Sequence, residues 1–248
     1  MFWKTAATIA KIADKAVTAV FIILILLLTG YGAYTIWVNE GVANGAFLSE
    51  ELARYSPTES AKDNNDYSLF DLMELNSDII GWITVEGTNI NYPLLQGETD
   101  TQYLNRDAFG EFALSGSIFL SCTNSPDFSD PYNLVYGHHM ANGAMFGDLD
   151  GYAYGDYLEQ FPEGKLYMAE NGEVVARNIE FFCVLNTDAY DEAVFYTGAD
   201  VSNEDRISVY HATALHKREA TPTGQLISLV TCADSHTNGR IALIGYLQ

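Results

Sequence analysis

The sequence predicts a mainly β protein whose strands close into a barrel with short helices between some of them. Two observations predict this fold. From Ile79 onward, short β-type runs alternate with turn residues, and little helical pattern lies between most of the runs. Before Ile79 the pattern is helical and includes one long apolar run without charges. We therefore expect a membrane-spanning helix, a helical segment and then the barrel.

Charge is unevenly distributed along the 248 residues. The formal net charge is −21, which argues against nucleic acid as a partner, because a surface that binds nucleic acid needs a basic patch. Residues 1–15 nevertheless contain Lys4, Lys11 and Lys15 against Asp14 alone. The N-terminus is therefore basic, and the remainder of the chain is strongly acidic.

The run from Ala16 to Asn39 contains no charged residue and centres on VFIILILLL. It is long enough to cross ~30 Å of hydrocarbon as a helix. Lysines before it and acids after it predict that residues 1–15 are cytoplasmic, that residues 16–39 form a single-pass anchor in membrane lipid, and that the remainder is extracellular. A cleaved signal peptide is the alternative, but the run is longer than a typical signal h-region and GYGAYTIW contains no clear A-x-A site.

Residues 40–69 are expected to form a stalk and an N-terminal helical segment, because they are polar and are interrupted by glycine and by Pro57. The periodic stretch LFDLMELN (Leu69–Asn76) ends this helical part. A single β domain is expected over residues 70–248.

Eight runs have the length and composition of β-strands. They are IIGWITV, NINYPLL, GSIFL, NLVYGH, GKLYMA, EVVARNIEFFCVL, LISLVTC and RIALIGYL. Because so many short strands follow one another, a closed or nearly closed barrel is predicted. Helical insertions are expected from Ala144 to about Phe161 and from Asn203 to Lys217. In the second, apolar and aromatic residues recur at helical spacing: Ile207, Tyr210, His211, Ala214 and Leu215.

The stretch SLVTCADSHTNGR (228–240) contains the candidate chemistry. Cys232 ends one strand candidate and Arg240 begins the next, so an antiparallel pair would place the two at facing strand ends. A cysteine nucleophile needs a base or a cationic partner that holds the thiolate. His138 ends the run NLVYGH, where a rigid sheet can aim it at such a thiol. His236, only four residues from Cys232, is the rival base.

The other two cysteines, Cys122 and Cys183, are interpreted as structural, because a free cysteine usually packs as a small hydrophobic side chain. All three cysteines are widely spaced, so neither a disulfide framework nor a zinc knuckle is predicted. His138 and His139 with a cysteine lack the ligand spacing of a metal site. We expect no metal and no cofactor.

The segment SLVTC followed by an arginine resembles the TLxTC…R signature of sortases, the cysteine transpeptidases of Gram-positive cell surfaces. YGHHM resembles their catalytic-histidine segment. GWITVEGTNINYPLLQ, YLNRDAFG and GSIFLSCTNSPDFSDPYNLVYGHHMANGAMFGDL resemble class B sortases. The resemblance covers roughly residues 70–248. Ser228 replaces the usual first threonine of the signature and keeps its hydroxyl.

The resemblance implies a sortase barrel in which Cys232 is the nucleophile, His138 the general acid/base and Arg240 an electrostatic clamp. The implied reaction cleaves an LPxTG- or NPxTN-like sorting signal near the C-terminus of a surface protein, through a thioacyl-enzyme. The acyl group is then transferred to an amine of the cell wall or to a pilin lysine. The alternatives are a cysteine peptidase that only hydrolyses and a non-catalytic surface scaffold.

Four residues are candidate substrate contacts. Thr231 and Ser228 lie in the strand of the nucleophile, and a purely structural role is an equal alternative for Thr231. Ile207 and Tyr210 lie in the insertion 203–217, which matches the helix that class B sortases carry before the cysteine strand. The resemblance implies that this insertion helps to recognise substrate.

Overall fold

The computed structural model of the protein describes residues 2–58, 67–220, 224–232 and 239–248, with the backbone alone for residues 2–10, 43, 44 and 232. Contacts divide the chain into two compact units, Met1–Asn44 and Gly45–Gln248. His236, the rival base, lies outside the described residues.

The N-terminal unit is built by helix α1 (Phe2–Gly45). Its stretch Lys11–Val42 is long and apolar enough to cross a membrane, judged by length and composition. Two hydroxyls in this stretch bond to carbonyls of their own helix, Thr18 to Asp14 at 2.9 Å and Thr29 to Ile25 at 2.7 Å. These hydroxyls therefore need no hydrogen bond from the surroundings, which suits an apolar environment.

The second unit is a closed β-barrel, which confirms the predicted fold class. Eight strands follow the order β5-β1-β2-β3-β4-β8-β9-β6, and pairing of β5 with β6 closes the barrel. The short strand β7 adds to β6 as a ninth. The strands are β1 (Ile79–Val85), β2 (Asn91–Leu95), β3 (Ile118–Leu120), β4 (Tyr132–Tyr136), β5 (Glu163–Glu170), β6 (Glu173–Asp188), β7 (His216–Lys217), β8 (Gln225–Cys232) and β9 (Gly239–Leu247).

Alternation along the strands divides the buried side chains between two faces of the barrel wall. In β8, Ile227 and Leu229 belong to the largest apolar cluster, whereas Leu226 and Val230 belong to a second one. The second cluster also contains Val194 and Tyr210 of the helical insertions. A third cluster joins Trp82 of β1 to helix residues Leu69 and Leu72. Both faces of much of the wall are thus covered, which explains why β9 is buried from Ile241 to Leu247.

Before the barrel, the described residues 46–58 and 67–78 contain two short helices, α2 (Glu50–Ala53) and α3 (Leu69–Leu75). Ser49 caps the first with its side chain, and Ser68 forms a capping box with Asp71 at the second. In the segment expected to contain a stalk, Ala46 and Tyr55 are buried within the barrel unit. The division of the chain at residues 40 and 70 stays a prediction.

The first insertion differs from the predicted helix. Instead of one helix from Ala144, it contains α4 (Leu149–Tyr154) and α5 (Tyr157–Gln160). Residues 143–147 are not helical, because Gly143 and Met145 adopt positive φ values of 82° and 52°. The backbone N–H of Met145 donates to the buried hydroxyl of Tyr92 at 3.0 Å, a tertiary contact that overrides local helical preference.

The second insertion is helical only in part. Helix α7 covers Asn203–Thr213, so the prediction of a helix to Lys217 was wrong at its end. Residues 216 and 217 instead pair with β6, as His216↔Val184 and Lys217↔Cys183. The sequence pattern also missed the four-residue helix α6 (Glu192–Phe195).

Candidate active site

Backbone pairing of β8 with β9 determines which residues face each other at the ends of these two strands. The antiparallel register runs from Gln225↔Leu247 to Cys232↔Arg240. Residues directly opposite each other in such a pair have Cβ atoms about 4.5–5.5 Å apart. The expected facing strand ends are confirmed at the level of the backbone.

The neighbouring strand β4 brings His138 to the same end of the sheet. β4 runs parallel to β8 with Tyr136 opposite Val230, and the N–H of Gly137 donates to the carbonyl of Val230 at 3.1 Å. His138 follows Tyr136 by two residues, as Cys232 follows Val230. The sheet thus brings the three predicted catalytic positions together from β4, β8 and β9.

The imidazole of His138 is half-buried, and its Nε2 atom bonds to the carbonyl oxygen of Leu104. A carbonyl oxygen only accepts hydrogen bonds, so Nε2 carries the proton in this bond. In the neutral ring Nδ1 is then the unprotonated nitrogen. The bond to Leu104 both orients the ring and leaves one nitrogen to accept a proton.

A pocket of ≈ 280 Å³ lies at this end of the sheet. Its polar lining residues are Asp100, His138, Thr231 and Arg240. The other lining residues are Leu104, Phe119, Tyr136, Gly137, Ala189, Phe195 and Val230. An apolar pocket with a few converging polar groups is the usual form of a substrate site.

Three aromatic rings form one wall of the pocket. The ring centroids of Phe119 and Tyr136 are 5.4 Å apart, and those of Tyr136 and Phe195 are 6.4 Å apart with an interplanar angle of 14°. Burial, followed by the charges of Asp100 and Cys122, raises the pKa of Tyr136, whereas Arg240 lowers it. Tyr136 therefore remains a neutral phenol at physiological pH.

Arg240 is half-buried, and its Nη1 donates to the carbonyl of Gly239 at 2.9 Å. Among the residues that the structure describes, no carboxylate forms an ion pair with Arg240. A guanidinium has five N–H donors in a planar fork. Donors beyond the one bonded to Gly239 can therefore serve a ligand in the pocket.

The two other thiols have properties of unreactive groups. Cys183 is buried and donates from Sγ to the carbonyl of Tyr210 at 3.7 Å. Burial raises the pKa of Cys183 to about 12. Cys122 is exposed, and loss of hydration, reinforced by the neighbouring Asp100 carboxylate, raises its pKa as well. Neither environment favours a thiolate.

Of the four candidate substrate contacts, only Thr231 lines the pocket. Ser228 and Tyr210 are both 0% exposed, so neither side chain can contact a peptide in this structure. Ile207 is partly buried and packs against the cluster that contains Val194. Direct contacts at Ser228 and Tyr210 therefore do not fit the observed burial. A contact at Ile207, which is partly exposed, stays a prediction.

Several pocket residues were missed by sequence reasoning. Tyr136 could have been found, because it precedes His138 by two residues and strand alternation places such residues on one face. Asp100, Leu104 and Phe195 gave no such signal, since they reach the pocket from loops and from α6 through tertiary packing.

Comparison with known proteins agrees with this arrangement. The family model described as the sortase domain matches residues 83–248. The sortase B of Listeria monocytogenes is 29% identical over 239 residues, which cover 90% of this chain and 95% of the relative. The sortase B of Staphylococcus aureus is 30% identical over 182 residues, covering 70% and 71% of the two chains.

Solved structures with similar folds include class B sortases. One is a class B sortase of Streptococcus pyogenes involved in pilus biogenesis, with 34% identity, a TM-score of 0.65 and coverage of 73% of this chain and 97% of the other. Sortase B of Clostridium perfringens has 29% identity, a TM-score of 0.65 and coverage of 73% and 100%. A substrate complex of S. aureus sortase B has 25% identity, a TM-score of 0.64 and coverage of 72% and 83%.

Proposed function

The chain belongs to the sortase family of cysteine transpeptidases, and from this membership we propose that it cleaves an LPxTG- or NPxTN-like sorting signal and transfers the acyl group to an amine. The observation that carries the proposal is the register that sets Cys232 opposite Arg240, with His138 just after the end of the adjoining strand β4. The pocket beside these residues supports the proposal, because its lining is mostly apolar with a few converging polar groups.

In the first half-reaction, the thiol of Cys232 transfers its proton to Nδ1 of His138, and the resulting thiolate attacks the carbonyl carbon of the scissile peptide bond. The carbonyl π electrons move to oxygen, and donors of Arg240 stabilise that developing charge. When the intermediate collapses, the C–N bond breaks and His138 donates a proton to the leaving amine. The products of this half-reaction are a thioester on Cys232 and a released peptide.

In the second half-reaction, an acceptor amine attacks the thioester carbon, and His138 removes a proton from the amine nitrogen. The C–S bond breaks, and the sulfur leaves as the thiolate. A thioester retains the free energy for acyl transfer, so a new amide bond forms without a cofactor. The acidic charge of the chain favours approach of a cationic acceptor, because the long-range field attracts amines.

The proposed partners are surface proteins with a C-terminal sorting signal and an acceptor amine of a cell-wall precursor or pilin lysine. Relatives support this range of partners, since one structure is a sortase B complexed with triglycine and another sortase is involved in pilus biogenesis. We also propose that residues 16–39 anchor the enzyme in the cell membrane with the catalytic domain outside. The apolar stretch Lys11–Val42 of α1 supports this location.

The test is to incubate the full-length chain in detergent with a panel of sorting-signal peptides, with and without oligoglycine and lysine amines. Mass spectrometry should detect the thioacyl-enzyme and, with the right amine, a new amide product. Cys232→Ala is the control that should form neither. Release of the free acid alone, whichever amine is added, indicates a peptidase. Absence of any acyl-enzyme across a broad panel supports a scaffold.

A further inference from the structure

Helix α6 (Glu192–Phe195) supplies one side of the substrate pocket although it is only four residues long. Phe195 lines the pocket and stacks on Tyr136, and Ala189 lines it just before the helix. An isolated helix of this length is unstable in water. The position of the pocket wall must therefore be set by contacts from outside the helix.

Those contacts come from three buried side chains on two other elements, which we call the α6 clamp: Tyr132, Arg206 and Tyr210. The hydroxyl of Tyr132 donates to the carbonyl of Val194 at 2.6 Å, and that of Tyr210 donates to the carbonyl of Ala193 at 2.7 Å. In a helix this short, both carbonyls lie in the last turn and need partners beyond the helix. The clamp supplies these partners.

Arg206 extends the clamp to the segment after α6. Its Nη1 donates to the carbonyl of Ala193 at 3.3 Å and its Nη2 to that of Gly198 at 3.1 Å. The guanidinium carbon lies 4.5 Å from the centroid of the Tyr132 ring. One side chain thus joins α6, residue 198 and the barrel strand β4.

Burial of these groups is nearly complete, since Arg206 is 2% exposed, Tyr132 1% and Tyr210 0%. Burial raises the pKa of both tyrosines, so each hydroxyl keeps the proton that it donates. Among the described residues, no carboxylate forms an ion pair with Arg206. An aliphatic side chain could fill the same space without burying a charge. What the guanidinium adds is therefore its two hydrogen bonds to carbonyl oxygens.

We propose that the α6 clamp positions Phe195 and thereby determines which sorting-signal peptides the pocket accepts, without touching the peptide itself. This inference rests on the proposed function of the pocket. It also gives Tyr210 a role in recognition that does not require contact with substrate. Tyr132, Arg206 and Tyr210 are therefore positioning residues.

The key variant is Tyr210→Phe in the full-length chain, which removes one hydroxyl and keeps the ring. Tyr152→Phe is the matched control, because its buried hydroxyl donates to the carbonyl of Phe161 at 2.7 Å but Tyr152 does not line the pocket. Arg206→Lys is a second test, since lysine keeps the charge but lacks the planar fork that joins two carbonyls.

Hydrogen exchange of residues 189–198 should be faster in Tyr210→Phe by about 2- to 12-fold, the factor expected for loss of one buried hydrogen bond. KM for the peptide panel should rise by a similar factor, and the ranking of peptides should change, while kcat stays within about twofold. Arg206→Lys should produce the same pattern. Tyr152→Phe should lower the melting temperature comparably but leave exchange at 189–198 and KM as in wild type.

Unchanged exchange in both clamp variants would overturn the positioning role. Faster exchange with an unchanged peptide ranking, or an equal rise of KM in Tyr152→Phe, would overturn the role in selectivity. If the wild-type chain cleaves no peptide of the panel, the proposed function fails, and the exchange comparison alone still decides whether the clamp holds α6.

Discussion

Cys232 and Arg240 occupy directly opposite positions in the antiparallel pair of β8 and β9. Seven further residue pairs fix this register, from Gln225↔Leu247 onward. The relative position of the two residues is therefore a property of the barrel wall. Because this position is fixed, we can state the expected loss of activity for substitutions of each residue.

The first prediction concerns the guanidinium of Arg240. If its fork bonds the oxyanion, both Arg240→Lys and Arg240→Ala should lose about 10²–10³ in turnover, or roughly 2.7–4 kcal/mol, as for loss of one oxyanion donor. Steady-state kinetics with the best peptide of the panel measures this loss. If only the positive charge matters, Arg240→Lys should retain most activity.

The control for this prediction is Arg218→Lys. Arg218 forms an ion pair with Glu180 at 3.3 Å and does not line the pocket. The turnover of the Arg218→Lys enzyme should match that of wild type. Near-wild-type turnover in Arg240→Ala would remove Arg240 from the site.

The second prediction separates the three thiols. Cys232→Ala should abolish both peptide cleavage and amine transfer, whereas Cys122→Ala and Cys183→Ala should retain both steps, because their raised pKa values disfavour the thiolate. Intact-protein mass spectrometry after incubation with peptide locates the acyl group. Loss of both steps in Cys122→Ala alone would place the nucleophile at Cys122.

The third prediction ranks the histidines. His138→Ala should lose at least ~10²-fold in rate, the lower bound for a positioned acid/base. His139→Ala should cost much less, because the His139 ring bonds to Asp150 at 2.9 Å and does not line the pocket. Single-turnover rates compare these variants with His236→Ala. A larger loss in His236→Ala than in His138→Ala would identify His236 as the base.

The fourth prediction concerns stability at alkaline pH. Burial raises the pKa of Cys183 from 9.0 to about 12, so the unfolded state releases this proton at lower pH than the folded state does. The stabilising contribution is complete below pH 9 and is lost as pH rises toward 12. The difference between the two pKa values corresponds to a loss on the order of 4 kcal/mol in the free energy of unfolding.

Urea unfolding at pH 8 and pH 10.5 measures this contribution. Cys183→Ala should be less stable than wild type at pH 8, because it loses buried packing. Its free energy of unfolding should nevertheless fall less between the two pH values. Equal losses in the two proteins would show that Cys183 does not titrate as its burial implies.

The fifth prediction concerns topology. Protease added to cells without their wall should digest the domain that follows residue 45, because the basic N-terminus should remain in the cytoplasm. Protection of that domain contradicts the proposed orientation. The mass of the mature protein distinguishes an anchor from a signal peptide, since cleavage would remove the N-terminal segment that includes residues 1–15 and the apolar run.

The sequence pattern predicted the barrel well because its strands are short runs rich in apolar and β-branched residues, with turn residues between them. The antiparallel pairing that places Cys232 opposite Arg240 could also be predicted, since the two strands are consecutive in the sequence. The parallel pairing of β4 with β8 could not be derived from spacing, because the two strands are far apart in the chain. The position of His138 at the end of a strand run favoured it as the base for Cys232, and the resemblance to sortases supported the same pairing.

Errors in the prediction lie where tertiary contacts override local preference. Residues 216 and 217 follow a helical pattern, yet they pair with β6. The apolar spacing of Ile207 and Tyr210 correctly indicated a helix, but it did not distinguish a face that touches substrate from one that packs on the barrel. Helix α6 escaped detection because its stability comes from the α6 clamp and not from its own four residues.

The parallel pairing of β4 with β8 also bears on when activity can arise during folding. A hairpin cannot join parallel strands, so His138 and Cys232 become neighbours only after the long intervening chain has folded back on the sheet. Such long-range pairing is slow compared with local folding. A newly synthesised chain should therefore pass through a latent stage in which its thiol is not yet activated. Completion of the barrel would then switch on acyl transfer. Incompletely folded copies would therefore not cleave neighbouring proteins and would not become acylated by them.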